Sequence, residues 1–293
     1  DNELNKSFED ASMTNAMRAA AMRTPGRTVW TGPKVNAAAN VILDGNFHES
    51  VLRVTAPAPL TGNYGFYGAA FGAPASAANF NGQWVVALDA ADGAGPLTTD
   101  GCSAITNGAA VTGKIAIIDR GTCGFAVKVK NAQNAGAIGV VIANSSTGTW
   151  GSMGGADPTI TIPSIIVQYA DGANFKTNAP ITGGMVDLPA TKAGMDSAGR
   201  TRLYSPWIVA TGSTFSHFDT TLHPDALMEP FDSPTVQAQY NVDLTPALFA
   251  DIGWKLHQGG ATFANCDTGT AASDAYGIVI GSNMAATSEL CKD

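Results

Sequence analysis

Charge is scarce in this sequence. Only 14 % of its 293 residues are Asp, Glu, Lys or Arg, against roughly 25 % in ordinary soluble domains. What charge exists leans acidic, with 16 basic and 24 acidic residues for a formal net charge of −8. No Lys/Arg cluster occurs along the chain. That pattern argues against a nucleic-acid binder, because phosphate neutralisation needs a concentrated basic surface. Long apolar runs are missing as well. Stretches such as Ala137–Ala143 fall far short of the roughly 20 residues that span a bilayer as a helix. No Cys-x-x-Cys or Cys/His cluster is present, which argues against a structural zinc knot. The absence of a Gly-x-Ser-x-Gly elbow argues against a serine hydrolase, despite Ser213 and Ser216 near His217. No Gly-x-Gly-x-x-Gly or P-loop follows a strand-like run, so nucleotide phosphate sites are not indicated.

What is present points outward from the cell. The chain has 33 glycines, many small polar residues and 45 % hydrophobic residues, enough for a real core within a loop-rich, strand-rich, extracellular kind of protein. It begins without Met and without a signal peptide, so a secretory segment is expected to have been removed or to lie upstream. Four cysteines, at 102, 123, 266 and 291, allow three pairings. The near-neighbour scheme, Cys102–Cys123 with Cys266–Cys291, closes two local loops and is favoured, each closure contributing roughly 3 kcal/mol by restricting the unfolded chain. Four reduced, buried thiols are the alternative.

Along the chain, residues 7–23 read as a helix capped by Ser7 and ended by Pro25-Gly26. Strand and turn signals follow to about residue 100. Residues 113–119 and 137–143 are short apolar runs suited to buried strands, and Phe125, Val129 and Ala132 form a helical stripe between them. Strand, helix and strand in that order make a βαβ unit with a right-handed crossover. Residues 159–167 suggest a strand pair around Pro163, 171–177 a short helix and 244–252 a further helix.

The middle of the chain carries several separated motifs in order: Gly113-Lys-Ile-Ala, Asp119-Arg-Gly-x-Cys123-x-Phe125, Lys128-x-x-Asn-Ala-x-x-Ala-Gly136, Ile162-Pro163-Ser and Asp171-Gly172. Together they resemble the protease-associated (PA) domain over about 100 residues. The resemblance implies an α+β fold, a β-sandwich with flanking helices, inserted in secreted peptidases and sorting receptors. It also implies no catalytic residue of its own and a role in positioning or restricting protein substrates.

A second resemblance lies outside that region. Ser213-Thr-Phe-Ser-His217-Phe-Asp219, then Asp225-Ala-Leu-Met228-Glu-Pro230, then the helix ending Asp251-Ile-Gly-Trp254 look like the C-terminal end of a leishmanolysin-like metallopeptidase of the metzincin group. That likeness implies His217 as the third zinc ligand and Met228 as the turn methionine beneath the metal. The division it suggests is residues 1–45 as helix and linker of the peptidase part, 46–203 as the PA region (core about 84–190), 204–258 as the metzincin-like segment and 259–293 as a disulfide-stapled tail.

A zinc peptidase of this kind needs His-Glu-x-x-His on a helix, two imidazoles and a general-base Glu on one face. The sequence has none; its histidines stand at 48, 217, 223 and 257, and only His48-Glu49 begins like one, with Leu at position 52. The expectation is therefore a PA-containing C-terminal portion of a secreted zinc metalloendopeptidase. Its catalytic Glu and other two ligands would come from elsewhere, and alone it would be inactive toward peptide substrates. A non-catalytic extracellular peptide-binding module is the alternative. His223, before Pro224, reads as a surface residue in a turn, His48 and His257 as structural, and Asp89-Ala-Ala-Asp92-Gly93 as an ordinary turn rather than a calcium loop.

Overall fold

The computed structural model describes residues 2–148, 150–231 and 244–254. Two compact units emerge, one of residues 1–47 with 190–293 and one of residues 48–189. The elements, in chain order, are α1 (Asn15–Met22), α2 (Pro33–Ile42), β1 (Ser50–Ala56), β2 (Gly62–Tyr64), β3 (Tyr67–Gly68) and β4 (Asn81–Val86). Then follow α3 (Gly108–Val111), β5 (Ile115–Asp119), α4 (Phe125–Asn134), β6 (Gly139–Ala143), β7 (Ser164–Val167), α5 (Tyr169–Thr177), β8 (Ile181–Asp187) and α6 (Thr245–Asp251).

In the 48–189 unit the eight strands form one sheet in the order β2-β1-β8-β4-β5-β6-β7-β3. β4 to β7 run parallel, paired for example as Trp84 with Ile115, Ile117 with Val141 and Val141 with Ile165. The remaining pairings are antiparallel. The two edge strands, β2 and β3, are joined by only Gly65-Phe66. With about 3.8 Å between successive Cα atoms, that short link makes the sheet curl until its edges approach. The expected α+β class and βαβ unit are present. Where two packed sheets were expected, hydrogen bonding instead runs unbroken through a single curled one.

Strand alternation explains the core. Leu52, Val54, Trp84, Ile115, Ile117, Val141, Ile165, Val167, Ile181 and Met185 fill the inside of the curl with Phe80 and Phe175. Ala116, Ile118, Val140 and Ile142 point the other way and are buried too, as a parallel strand flanked by helices requires. Trp84 gives its indole N–H to the Gly183 carbonyl at 3.1 Å and meets Phe175 edge-on at 5.3 Å.

In the other unit, Val35 and Ala39 of α2 and Leu43 just after it join a cluster with Leu203, Phe218, Leu222 and Leu244. Ala247 and Leu248 of α6 pack on the same cluster.

Several boundaries depart from the sequence reading. The first helix starts at Asn15 with Thr14 as its cap, the hydroxyl accepting from the Met17 N–H at 3.2 Å. Upstream, Asp10 takes the Ser12 N–H and hydroxyl, so short polar side chains satisfy the backbone locally and hold residues 7–13 in turns. Only residues 164–167 of the expected strand pair are a strand. Before them Asp157 closes a turn on Thr159, and Gln133 of α4 accepts from the N–H groups of Thr161 and Ile162.

Candidate functional site

Ligands of parallel sheets gather at the carboxyl ends of the strands, and there the 48–189 unit concentrates its polar side chains. β5 ends in Asp119-Arg120, β6 runs into Asn144 and β7 into Gln168. The Arg120 guanidinium donates to Asn144 Oδ1 at 2.9 Å and lies 5.5 Å over the Phe125 ring. Asn144 is buried and anchored in turn, its amide donating to the Ser146 carbonyl at 2.8 Å. Arg120 has five N–H donors in a rigid fork and spends one on Asn144. A half-buried guanidinium held flat in this way suits a carboxylate or a peptide carbonyl. Beside it, Asp119 accepts from Thr99 Oγ1 and pairs with Lys176 Nζ, each at 2.5 Å.

The expected Cys102–Cys123 disulfide is present, with 5.7 Å between the Cα atoms. It ties the loop after Asp100 to the turn that follows Arg120. Lys128 of α4, fully buried, reaches the pair from below and donates to the Asp100 carbonyl at 2.5 Å and to Cys102 Sγ at 3.3 Å. Burial pushes the Lys128 ammonium down from its usual range, and Asp100, Asp89 and Asp119 oppose that push. Cys266 and Cys291 lie outside the described residues, as does His257.

In the other unit, His217 lies next to the backbone pairing that joins Phe218 to Met228. The Phe218 N–H donates to the Met228 carbonyl at 2.9 Å, and the His217 carbonyl accepts from the Tyr204 N–H at 2.8 Å. Both side chains are half-buried, Met228 against the apolar cluster around Phe218. His217 Nδ1 lies 3.0 Å from Ser216 Oγ, and that hydroxyl donates to the Gly212 carbonyl at 2.8 Å. The Ser213 carbonyl is also within its reach, at 3.3 Å. When the hydroxyl proton goes to either carbonyl, Ser216 Oγ is left to accept from His217, and the neutral imidazole then carries its proton on Nδ1 with a lone pair on Nε2.

Zinc in a peptidase site needs three protein ligands. Among the described residues no group of three or more His, Cys, Asp or Glu is placed to hold a metal, so they offer zinc one imidazole nitrogen and not a site. His48 and His223 are both exposed, the first against the Leu188 carbonyl and the second 2.6 Å from Asp44.

Sequence reasoning missed three features here. The buried role of Lys128 has one sequence signal, a lysine on the apolar stripe of α4. The Ser216 hydroxyl faces His217 as a hydrogen-bond partner and not as a nucleophile. The Asp251 carboxylate caps α2 from a distance, accepting from Lys34 N at 3.0 Å and Val35 N at 2.9 Å, with no signal near it in sequence.

Residues 69–175 match the family model described as the PA domain, so the chain carries a PA domain over about a third of its length. A 51-residue stretch is 53 % identical to human ER degradation-enhancing alpha-mannosidase-like protein 3, covering 17 % of this chain and 6 % of that protein. Over 60 residues the chain is 48 % identical to an aminopeptidase of Pseudomonas aeruginosa, 20 % of this chain and 11 % of that enzyme. Leucine aminopeptidase 2 of Trichophyton rubrum is 32 % identical over 90 residues, 30 % of this chain and 18 % of the enzyme. The chain thus spans only a small part of the length of the curated relatives it matches. Among solved structures, a zinc aminopeptidase from Bacillus subtilis aligns with a TM-score of 0.33 and 18 % identity, covering 60 % of this chain and 39 % of that one.

Proposed function

We propose that residues 48–189 are a recognition module that holds or restricts protein substrates of a secreted peptidase, with Arg120 gripping a carboxylate or carbonyl of the bound segment. The fixed Arg120–Asn144–Phe125 arrangement carries this reading. The likeness to aminopeptidases supports the association with peptide-bond hydrolysis. The likeness to a mannosidase-like protein as well fits a part that recognises rather than cleaves. The test is fluorescence anisotropy with a labelled, reduced and carboxymethylated casein fragment. Binding by the full chain that weakens about tenfold or more in Arg120→Ala, roughly the 1.5–3 kcal/mol of a charge-assisted hydrogen bond, supports it. Equal binding by both proteins refutes it.

The finer reading is that the other unit is the metzincin-like end of a zinc metalloendopeptidase, with His217 as one zinc ligand, Met228 as the apolar floor beneath it and the remaining ligands and the general-base Glu supplied by residues outside the sequence. The Ser216 hydroxyl 3.0 Å from His217 Nδ1 supports it, because ligating imidazoles commonly donate from their other nitrogen to a fixed acceptor. In a protein carrying all the ligands, His217→Ala is expected to abolish stoichiometric zinc and hydrolysis. Undiminished zinc content rules the role out.

A further inference from the structure

We propose that the Cys102–Cys123 disulfide is a site of reduction by a dithiol, with Cys123 Sγ the sulfur attacked and Cys102 the thiolate that leaves. The inference is independent of what the 48–189 unit binds. A disulfide yields at the sulfur that a thiolate can reach, and it yields faster when the other sulfur is the better leaving group.

The two sulfurs differ in both respects. Cys102 is 7 % exposed. Cys123 is half-buried in a turn whose neighbours Thr122 and Gly124 are exposed, so the open approach is to Cys123. Around Cys102 Sγ the fold has placed two donors, the Lys128 ammonium at 3.3 Å and the Cys123 backbone N–H at 3.3 Å. Both favour negative charge on that sulfur. The benefit is mutual. Lys128 is desolvated, the carboxylates that act on it are those of Asp100, Asp89 and Asp119, and the Asp100 carboxylate already accepts from the N–H groups of Leu97 and Cys102. A thiolate arising in contact with Lys128 supplies a partner at close range.

The exchange balances without any further reagent. A thiolate of the reductant forms a bond to Cys123 Sγ as the Cys102–Cys123 bond breaks, and the bonding pair passes to Cys102 Sγ. The reductant's second thiol gives its proton to water and attacks its own sulfur in the mixed disulfide, releasing Cys123 as a thiolate. Two electrons have moved to the protein, and the reductant leaves as its own disulfide.

The test uses the full chain at neutral pH with a brief pulse of glutathione, quenched in acid before a second thiolate resolves the first mixed disulfide, and then peptide mass mapping. Glutathione is expected on Cys123. Titration with dithiothreitol redox mixtures is then compared between the native chain and Lys128→Met, Lys128→Arg serving as the variant that keeps the charge. The Met variant is expected to hold the disulfide at reductant ratios about tenfold higher, and Arg to restore most of the difference. Glutathione on Cys102, equal reduction of the native and Met proteins, or a native disulfide that resists dithiothreitol until urea unfolds the chain would each overturn the proposal. If Lys128→Met fails to fold, the map on the native chain decides alone.

Discussion

Asp251 and Trp30 stand 221 residues apart in sequence, yet Asp251 Oδ2 accepts the Trp30 indole N–H at 3.0 Å. The same carboxylate takes the N–H groups of Lys34 and Val35, the second and third residues of α2. Gly32 has no side chain with which to cap that helix, so a distant carboxylate does it and meets the positive end of the helix dipole.

Replacing Asp251 with Ala is therefore expected to cost about 0.5–2 kcal/mol, the range for losing a helix cap. Thermal unfolding read by circular dichroism checks the value. Burial raises the Asp251 pKa, but the Val35, Trp30 and Lys34 donors outweigh it and hold the group below its ordinary 3.8. The contribution is then fully present above that ordinary value and lost as pH falls through the lower, folded one. The gap between native and variant should close in acid; a gap that widens there contradicts the assignment.

A side chain on Gly32 would collide with Asp251 Oδ2 and Trp30 Nε1. Gly32→Ala should destabilise the protein by displacing the carboxylate, so its cost should be strongly non-additive with that of Asp251→Ala. Once the carboxylate is gone, the added methyl still meets Trp30 Nε1, so its cost should shrink without vanishing. A double-mutant cycle that sums within experimental error would break the link between the two positions.

Much of the PA domain was legible because its signals are local. Buried parallel strands write themselves as apolar runs such as Gly113–Asp119, and the helix between them shows its stripe at Phe125, Val129 and Ala132. The disulfide followed from proximity in sequence. Long-range matters were not legible. Nothing near Asp251 announces that its carboxylate caps a helix two hundred residues earlier. The curl of the sheet is set by the two-residue link between β2 and β3, strands too short to leave a pattern. In the other unit, the metzincin resemblance pointed to His217 and Met228, but the tautomer depends on which carbonyl the Ser216 hydroxyl reaches, a fact of geometry.

Gly172 lies where α5 crosses β6, and a Cβ there would press into Cα and Cβ of Ala143. Gly172→Ala should lift the helix that carries Phe175 into the core, at a cost of about 1–3 kcal/mol typical of overpacking. Urea unfolding with tryptophan fluorescence, sensitive to Trp84 against Phe175, would show it. An unchanged midpoint would mean that the contact has room to give.

In alkaline solution His217 is expected to give the nitrogen shifts of an Nδ1–H imidazole, and Ser216→Ala should let the two tautomers mix. Long-range nitrogen–proton NMR correlation on the labelled chain distinguishes them. Predominance of the Nε2–H form in the native protein would remove the observation that favours a metal-ligating role.

Glu229 sits one residue beyond Met228, and burial, with Asp225 and Asp219 adding to it, raises its pKa from 4.5 to about 7, against the Ala226 N–H and His223, which lower it. A carboxyl raised on folding binds its proton more tightly in the folded state. Its contribution is thus complete below the unfolded value near 4.5 and is lost as pH rises through about 7. Each tenfold difference in proton affinity is worth about 1.4 kcal/mol. Allowing for the water that still reaches a half-buried group, the loss between pH 5 and 8 should be on the order of 2 kcal/mol. Glu229→Gln keeps an oxygen for the Ala226 N–H and carries no charge at any pH, so its stability should be flat over that interval and exceed that of the native chain at pH 8. A native protein that gains stability between pH 5 and 8 relative to the Gln variant would show that Glu229 is ionised and stabilised where it lies.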